Sequence, residues 1–323
     1  MTVFVFLLYG RSPAAERELA YALETLRAEL DVARPGFLRR DPSPQPSPAR
    51  GEGAAGRELD PPTVSQQAPP VEVEPSPLPL RERARVRGPI RDEGRSDEAG
   101  PRFHEKNCIV LYTDSPQAFA GVATLDAKPL LAATGEYWHG VKPRVLADAL
   151  RRFGRDCVML DLDGFVRPGF AREVEQALAQ GAAMNQFVRR DPYPFFPDFQ
   201  TELSHLGAYR LDRENALMLN SGLVAVRAEH LPLIEDAIVL MDRLWAGGLH
   251  KHDIEQFAVA ETLRLGGVKI ALIEDTFEHY CPRWSRRYMR RRLRRRPPGA
   301  KIPYSKARVR LFKAYWTLRL AMR

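Results

Sequence analysis

The sequence predicts an α/β fold, a mostly parallel sheet flanked by helices. Three observations carry that expectation. Strand-like apolar runs alternate with segments whose apolar residues recur at helical spacing along most of the chain. The uncharged run Cys157-Val158-Met159-Leu160 reads as a strand buried on both faces, as in the middle of a parallel sheet. That run ends in Asp161-Leu162-Asp163-Gly164, and open α/β sheets hold their ligands beyond the carboxyl ends of such strands.

The elements follow in order. Residues 3–9 form a first strand, and Ser12-Pro13 supplies an N-cap with proline at the first helical position. Leu19, Leu23, Leu26 and Leu30 continue as a helix that Pro35-Gly36 closes. Residues 108–112 are a second strand ending in Thr113-Asp114. Trp138-His139-Gly140-Val141-Lys142 then leads into a helix with Val145, Leu146, Ala149, Leu150 and Phe153 on its apolar face. After the acid-bearing strand come a helix over 168–181, a short strand within 182–188 and a proline- and aromatic-rich loop over 189–200. Residues 217–226 read as strand, polar turn and strand. Helices follow over 231–245 and from His252 to Leu265, and 268–273 is a late strand.

Composition divides this body from two other segments. Between Pro35 and Pro101 lie 14 of the 27 prolines, and no aromatic occurs between Phe37 and Phe103. Such a stretch buries too little surface to offset its ordering entropy, so 35–101 reads as a disordered insertion. Within it, 42–53 (PSPQPSPARGEG) and 75–88 (PSPLPLRERARVRG) read as translated halves of an interspersed genomic repeat. The formal charge of +8 is unevenly placed. Residues 279–323 carry 16 Lys and Arg and no acid, leaving 33 basic against 41 acidic residues elsewhere. The expected organisation is one domain over 1–34 and 102–282, the insertion over 35–101, and a basic, partly helical tail over 283–323. Three cysteines without metal-like spacing fit a reducing compartment, and no run reaches the roughly 18 apolar residues that span a bilayer.

Asp161 and Asp163 are two apart, a spacing that in an extended strand points both carboxylates to one face, with Gly164 turning the backbone away. Paired hard oxygen ligands at a strand tip suit a divalent cation holding a phosphate-bearing substrate. A solvated loop after a core strand uses the same residues.

Taken in order, Tyr9-Gly10, Thr113-Asp114, Lys142, Asp161-Leu162-Asp163, Asn220-Ser221-Gly222, Glu255-Gln256 and a late His279 resemble the GT-A-fold nucleotide-sugar glycosyltransferases, particularly those similar to glycosyltransferase family 8. The resemblance covers most of the chain outside the insertion and the basic tail. It implies a GT-A-like fold in which Asp161 and Asp163 bind Mn²⁺ (or Mg²⁺) bridging the donor diphosphate, with His279 completing the metal site. The glycine and lysine that usually follow that histidine are replaced here by Tyr280-Cys281-Pro282-Arg283-Trp284. Tyr9, Gly10 and Asp114 lie where the family binds nucleoside, and Lys142 matches its donor-contacting basic residue. Asn220, Ser221 and Gly222 match the turn near the donor sugar, and Glu255 and Gln256 the pair at sugar and acceptor, with Asp253 as the substitute if the register shifts. The implied partners are a UDP-sugar donor and a glycan or lipid-linked acceptor of envelope polysaccharide or glycolipid. Glu255 either orients the donor sugar, steadies an oxocarbenium-like centre or takes the acceptor's proton. The family likeness favours retention of configuration.

Two other readings use the same residues. Apolar-Asp-Leu-Asp-Gly also resembles the first motif of haloacid-dehalogenase-like phosphatases, which would make Asp161 the nucleophile and Asp163 the general acid of a Mg²⁺ phosphatase. Against it, about half the chain precedes the motif, Phe165 stands where Thr usually follows, and no later acidic motif is visible. The tail, with nine arginines in 283–296 and Leu311, Tyr315, Leu318 and Met322 on one stripe, suits an anionic membrane surface. Nucleic acid would also use such a cluster, but the acidic body and the missing recognition motif argue against it. The expected location is the cytoplasm, peripheral on the inner membrane face.

Overall fold

Why the central strands are continuous apolar runs is visible in where their side chains go. The structure, a computed structural model, describes residues 2–10, 12–32, 108–115, 122–135, 137–189, 218–297 and 299–321. Strand β1 (Thr2–Leu8) is buried along its whole length. Its alternate residues serve opposite layers: Val3, Val5 and Leu7 join one core, and Phe4, Phe6 and Leu8 the other. Strands β2 (Cys108–Thr113) and β4 (Asp156–Leu160) flank β1 in parallel and divide in the same way. Both faces of these strands are covered, so their interior positions are uncharged and the one acid, Asp156, stands at the entry of β4.

One face is covered by three helices, α3 (Val141–Phe153), α5 (Leu231–Ala246) and α6 (Ile254–Leu265). The other is covered by α1 (Pro13–Val32) and α4 (Phe170–Gln180). Ser12 Oγ accepts a hydrogen bond from Ala15 N–H, the cap expected at the start of α1. The seven-stranded sheet has the order β10-β6-β9-β4-β1-β2-β3, with β3 (Ala123–Asp126), β6 (Ala182–Met184), β9 (Leu223–Val226) and β10 (Ile270–Leu272) completing it. Within this sheet, among the described residues, only β9 runs antiparallel to its neighbours. The expected architecture, a mostly parallel sheet flanked by helices, is the observed one.

Two short ribbons project from the sheet's carboxyl edge. Strand β5 (Gly164–Val166) pairs antiparallel with β11 (Phe277–His279), setting Gly164 opposite His279. Strand β7 (Phe187–Arg189) pairs with β8 (Met218–Leu219). The single strand expected within 182–188 is therefore two, β6 in the main sheet and β7 in a ribbon. Periodicity did not reveal β3, β5, β11 or the short helix α2 (Lys128–Ala132), each too brief to show a pattern. The insertion over 35–101 and the loop residues 190–200 lie outside the described residues.

The first part of the basic segment packs against the domain. Helix α7 (Arg283–Leu293) buries Tyr288, Met289 and Leu293 with Tyr21 of α1, Phe165 of β5 and Tyr280 in a third core. Arg290 and Arg296 pair with Glu18 and Glu24 of α1. Helix α8 (Lys306–Ala321) follows, with Leu311 and Tyr315 exposed.

Candidate active site

Asp161, Asp163 and His279 converge at the carboxyl end of β4, each offering one ligand atom within 4.8 Å of the other two. The geometry differs from the two-apart strand expected. Strand β4 ends at Leu160, and Leu162-Asp163 is a turn held by Asp161 N–H donating to Gly222 O (2.8 Å). The β5–β11 ladder then brings His279 beside Asp163, with Nε2 3.1 Å from Oδ1. Gly164 is needed for packing and not as a turn: a Cβ there would lie 2.4 Å from the Phe277 ring. It opens β5 and lets β11 come close enough to deliver the histidine.

Asn220 sets the histidine's tautomer. Its Oδ1 accepts from Gly222 N–H (2.9 Å), so His279 Nδ1, 2.8 Å from the same oxygen, must donate to it. Nε2 is thereby turned toward the two aspartates, the arrangement by which an outer partner orients a metal-binding imidazole. Gly222 permits this approach, since a Cβ would stand 2.4 Å from Nδ1. Two carboxylates and an oriented imidazole are a donor set that fits a divalent cation such as Mn²⁺ or Mg²⁺.

Cations of the chain balance the two acids. Lys142 Nζ is 2.7 Å from Asp161 Oδ2. Burial works against the lysine's charge, but Asp161 and Glu255 outweigh it and push its pKa up to about 12. Arg286, from α7, bonds Asp163 Oδ2. Burial would raise the Asp163 pKa, yet the hydrogen bond from His279 and the Arg286 charge hold it well below the usual carboxylate range. The same pairing overcomes burial at His279 and pushes its pKa up to about 10.

A second group lies behind the first. Glu255, buried at the start of α6, accepts from Ser221 Oγ (3.0 Å) on one oxygen and from Tyr137 OH (3.1 Å) on the other. Burial raises its pKa, against the influence of Lys142 and these two hydrogen bonds. Ser221 N–H points to Gln256 Oε1 at 3.4 Å, and Asp253 is the buried residue preceding α6. Glu255 and Gln256 are thus interior groups and not a solvated helix face.

The predicted nucleoside residues gather at the end of β1. Gly10 N–H donates to Asp114 Oδ2 (3.0 Å). The Tyr9 ring lies 5.5 Å from the half-exposed Trp138, which overlies His139 with ring centres 3.4 Å apart. Burial leads in pushing Tyr9 up to about 12 and His139 down to about 4, the latter with help from Lys142. The structure therefore brings together Asp161, Asp163, His279, Lys142 and Asn220, and sets Ser221, Glu255 and Gln256 directly behind them. Sequence reasoning missed Tyr137 and Arg286. Tyr137 adjoins a singled-out segment, but nothing in a run of nine arginines distinguishes Arg286.

No protein-family model matches the chain, and no curated protein matches it in sequence. Its backbone aligns with solved glycosyltransferase structures. Mouse xyloside xylosyltransferase 1 in its apo form is 12% identical over 52% of this chain and 72% of that one, with a TM-score of 0.33. A glycosyltransferase involved in the glycosylation of the major capsid of PBCV-1 is 15% identical over 54% and 83%, with a TM-score of 0.35. The galactosyltransferase LgtC, in complex with donor and acceptor sugar analogs, is 9% identical over 83% and 73%, with a TM-score of 0.36. Likenesses this distant carry no functional weight, which rests on the site's own geometry.

Proposed function

We propose that this chain is a metal-dependent glycosyltransferase moving a sugar from a UDP-sugar to a glycan or lipid-linked acceptor of envelope polysaccharide or glycolipid. The observation that carries this reading is the convergence of Asp161, Asp163 and His279 beside Lys142 and the Asn220–Ser221–Gly222 turn. The two aspartates and His279 would hold a divalent cation, Mn²⁺ or Mg²⁺, which would supply Lewis-acid neutralisation of a leaving diphosphate. Lys142 keeps its proton and adds a second positive charge where that diphosphate would leave. Asn220 holds the imidazole, and Tyr9, Trp138 and the Gly10–Asp114 bond form a shelf for the nucleoside. Both oxygens of Glu255 accept from hydroxyls and the group is buried, so it positions Ser221 and Tyr137.

The haloacid-dehalogenase-like alternative needs Asp163 to deliver a proton. Asp163 is instead held between His279 and Arg286, which argues against it. Isothermal titration of UDP with and without Mn²⁺, on wild type and Asp163→Ala, tests the transferase reading. Wild type binds UDP more tightly with Mn²⁺ and the variant does not; UDP binding indifferent to Mn²⁺ in wild type sinks the proposal.

The same reading places the protein in the cytoplasm, peripheral on the inner membrane face through 283–323. Among the described residues no helix is long and apolar enough to cross a membrane. What supports a surface attachment is the exposure of Leu311 and Tyr315 on the basic helix α8. Deleting the whole segment would also strip the third core of Tyr288, Met289 and Leu293. The cleaner test is the Leu311→Asp/Tyr315→Asp protein, which should no longer sediment with anionic vesicles; undiminished sedimentation removes α8 from the account.

A further inference from the structure

A cavity of about 580 Å³ lies between the start of α1 and α7, and seven of its ten lining residues are arginines. One is Arg17 of α1. The other six, at 283, 286, 287, 290, 291 and 294, recur at steps of three, one, three, one and three, a single stripe of an α-helix. Like charges three and four apart destabilise a helix, and among the described residues no carboxylate lines the cavity.

The surroundings neutralise the stripe only in part. Arg286 reaches Asp163 and Arg290 reaches Glu18. Arg287 and Arg291 lie over the Trp316 ring at 5.0 and 5.4 Å, which fixes their guanidinium planes without cancelling charge. Among the described residues Arg286 Nε has no hydrogen-bond partner, so this guanidinium keeps an unspent donor. Clustered guanidinium forks with unspent donors match a group bearing several anionic oxygens, which is to say phosphate or diphosphate. Arg286 borders both the cavity and Asp163, so the two sites adjoin.

We propose that this cavity is a binding site for a phosphate or diphosphate group, separate from the Asp161–Asp163–His279 cluster. On the glycosyl-transfer reading, on which this further step rests, that group belongs to the acceptor, so the acceptor is a phosphorylated molecule.

Titration of full-length protein with inorganic pyrophosphate in EDTA tests the site without any metal. The probe should bind saturably and lose roughly tenfold or more of its affinity in Arg17→Glu/Arg294→Glu, a change of about 1.4 kcal/mol or more. UDP binding with Mn²⁺ should be equal in variant and wild type. Pyrophosphate that fails to bind wild type, or binds the folded variant equally, overturns the site. Loss of UDP–Mn²⁺ binding by a variant with unchanged circular dichroism overturns the acceptor assignment, because the arginines would then serve the donor. Pyrophosphate binding in a wild type that shows no UDP–Mn²⁺ binding overturns the transferase reading and leaves the anion site standing. Displacement of pyrophosphate by phosphatidylcholine vesicles containing phosphatidic acid supports the site with a lipid headgroup as its source. Binding that such vesicles leave intact supports it with a soluble phosphorylated ligand.

Discussion

Glu255 and Asp163 are both buried acids of one site, and they are compensated in opposite ways. Glu255 is hydrogen-bonded by two neutral hydroxyls, Ser221 and Tyr137, each fixed in the interior, while the Lys142 charge acts on it without a direct bond. Asp163 is met by two cationic side chains, His279 and the part-exposed Arg286. A carboxylate held by buried hydroxyls has nothing to exchange, because any replacement must enter the core. One held by charged partners at the edge could, on the proposed reading, exchange the Arg286 charge for that of a metal at little electrostatic cost. The difference separates a group that shapes the site from one that binds in it.

The largest effect expected from breaking this comparison is at Asp163. On the proposed reading Asp163→Ala removes a metal ligand, and it leaves His279 and Arg286 facing each other. Mn²⁺-dependent UDP binding should fall by roughly a hundredfold, the upper range for losing even an outer partner of a metal site. Titration calorimetry reads it, and a loss under tenfold would show that Asp163 is not a ligand. Next is Glu255→Ala, which takes the acceptor from the buried Ser221 hydroxyl, leaves Tyr137 OH only His252 O, and costs about 1–3 kcal/mol of stability. Urea unfolding measures that cost; an unchanged midpoint would mean Glu255 is not a structural acid.

Smaller effects sharpen the same contrast. Gly222→Ala forces a Cβ against His279 Nδ1 and turns the ring, for an expected loss of roughly tenfold in Mn²⁺ affinity with little change in fold. Equal affinity would place the ring outside metal binding. Arg286→Ala removes a competitor for Asp163. Its guanidinium is 42% exposed, and pairs open to solvent are worth only about 0–1 kcal/mol, so Mn²⁺ affinity should rise by no more than a few fold. A fall in affinity would reverse the role given to Arg286.

Much of the scaffold was legible because its physics is local. Continuous apolar runs mark β1, β2 and β4, since both faces of those strands are buried. Helices of more than about ten residues show their 3.6-residue pattern. Strands β5 and β11 are three residues each and carry no pattern, yet their pairing delivers His279. Gly164 and Gly222 are a turn-like residue type, and both are there because another side chain comes within 3 Å of where a Cβ would sit. Arg286 is one of nine arginines in 283–296, and only the docking of α7 on α1 selects it for Asp163.

By itself, then, the sequence determined the alternation of strands and helices, the acid pair at the tip of the central strand and the ordered partners around it. These depend on short-range pattern and on residue chemistry. Tertiary structure alone decided which of those residues meet. The ribbon that sets His279 against Asp163, the tautomer imposed by Asn220, the hydroxyls around Glu255 and the arginine stripe turned toward the site all join residues far apart in the chain. Such contacts are selected by the packing of whole elements, which no local window of sequence contains.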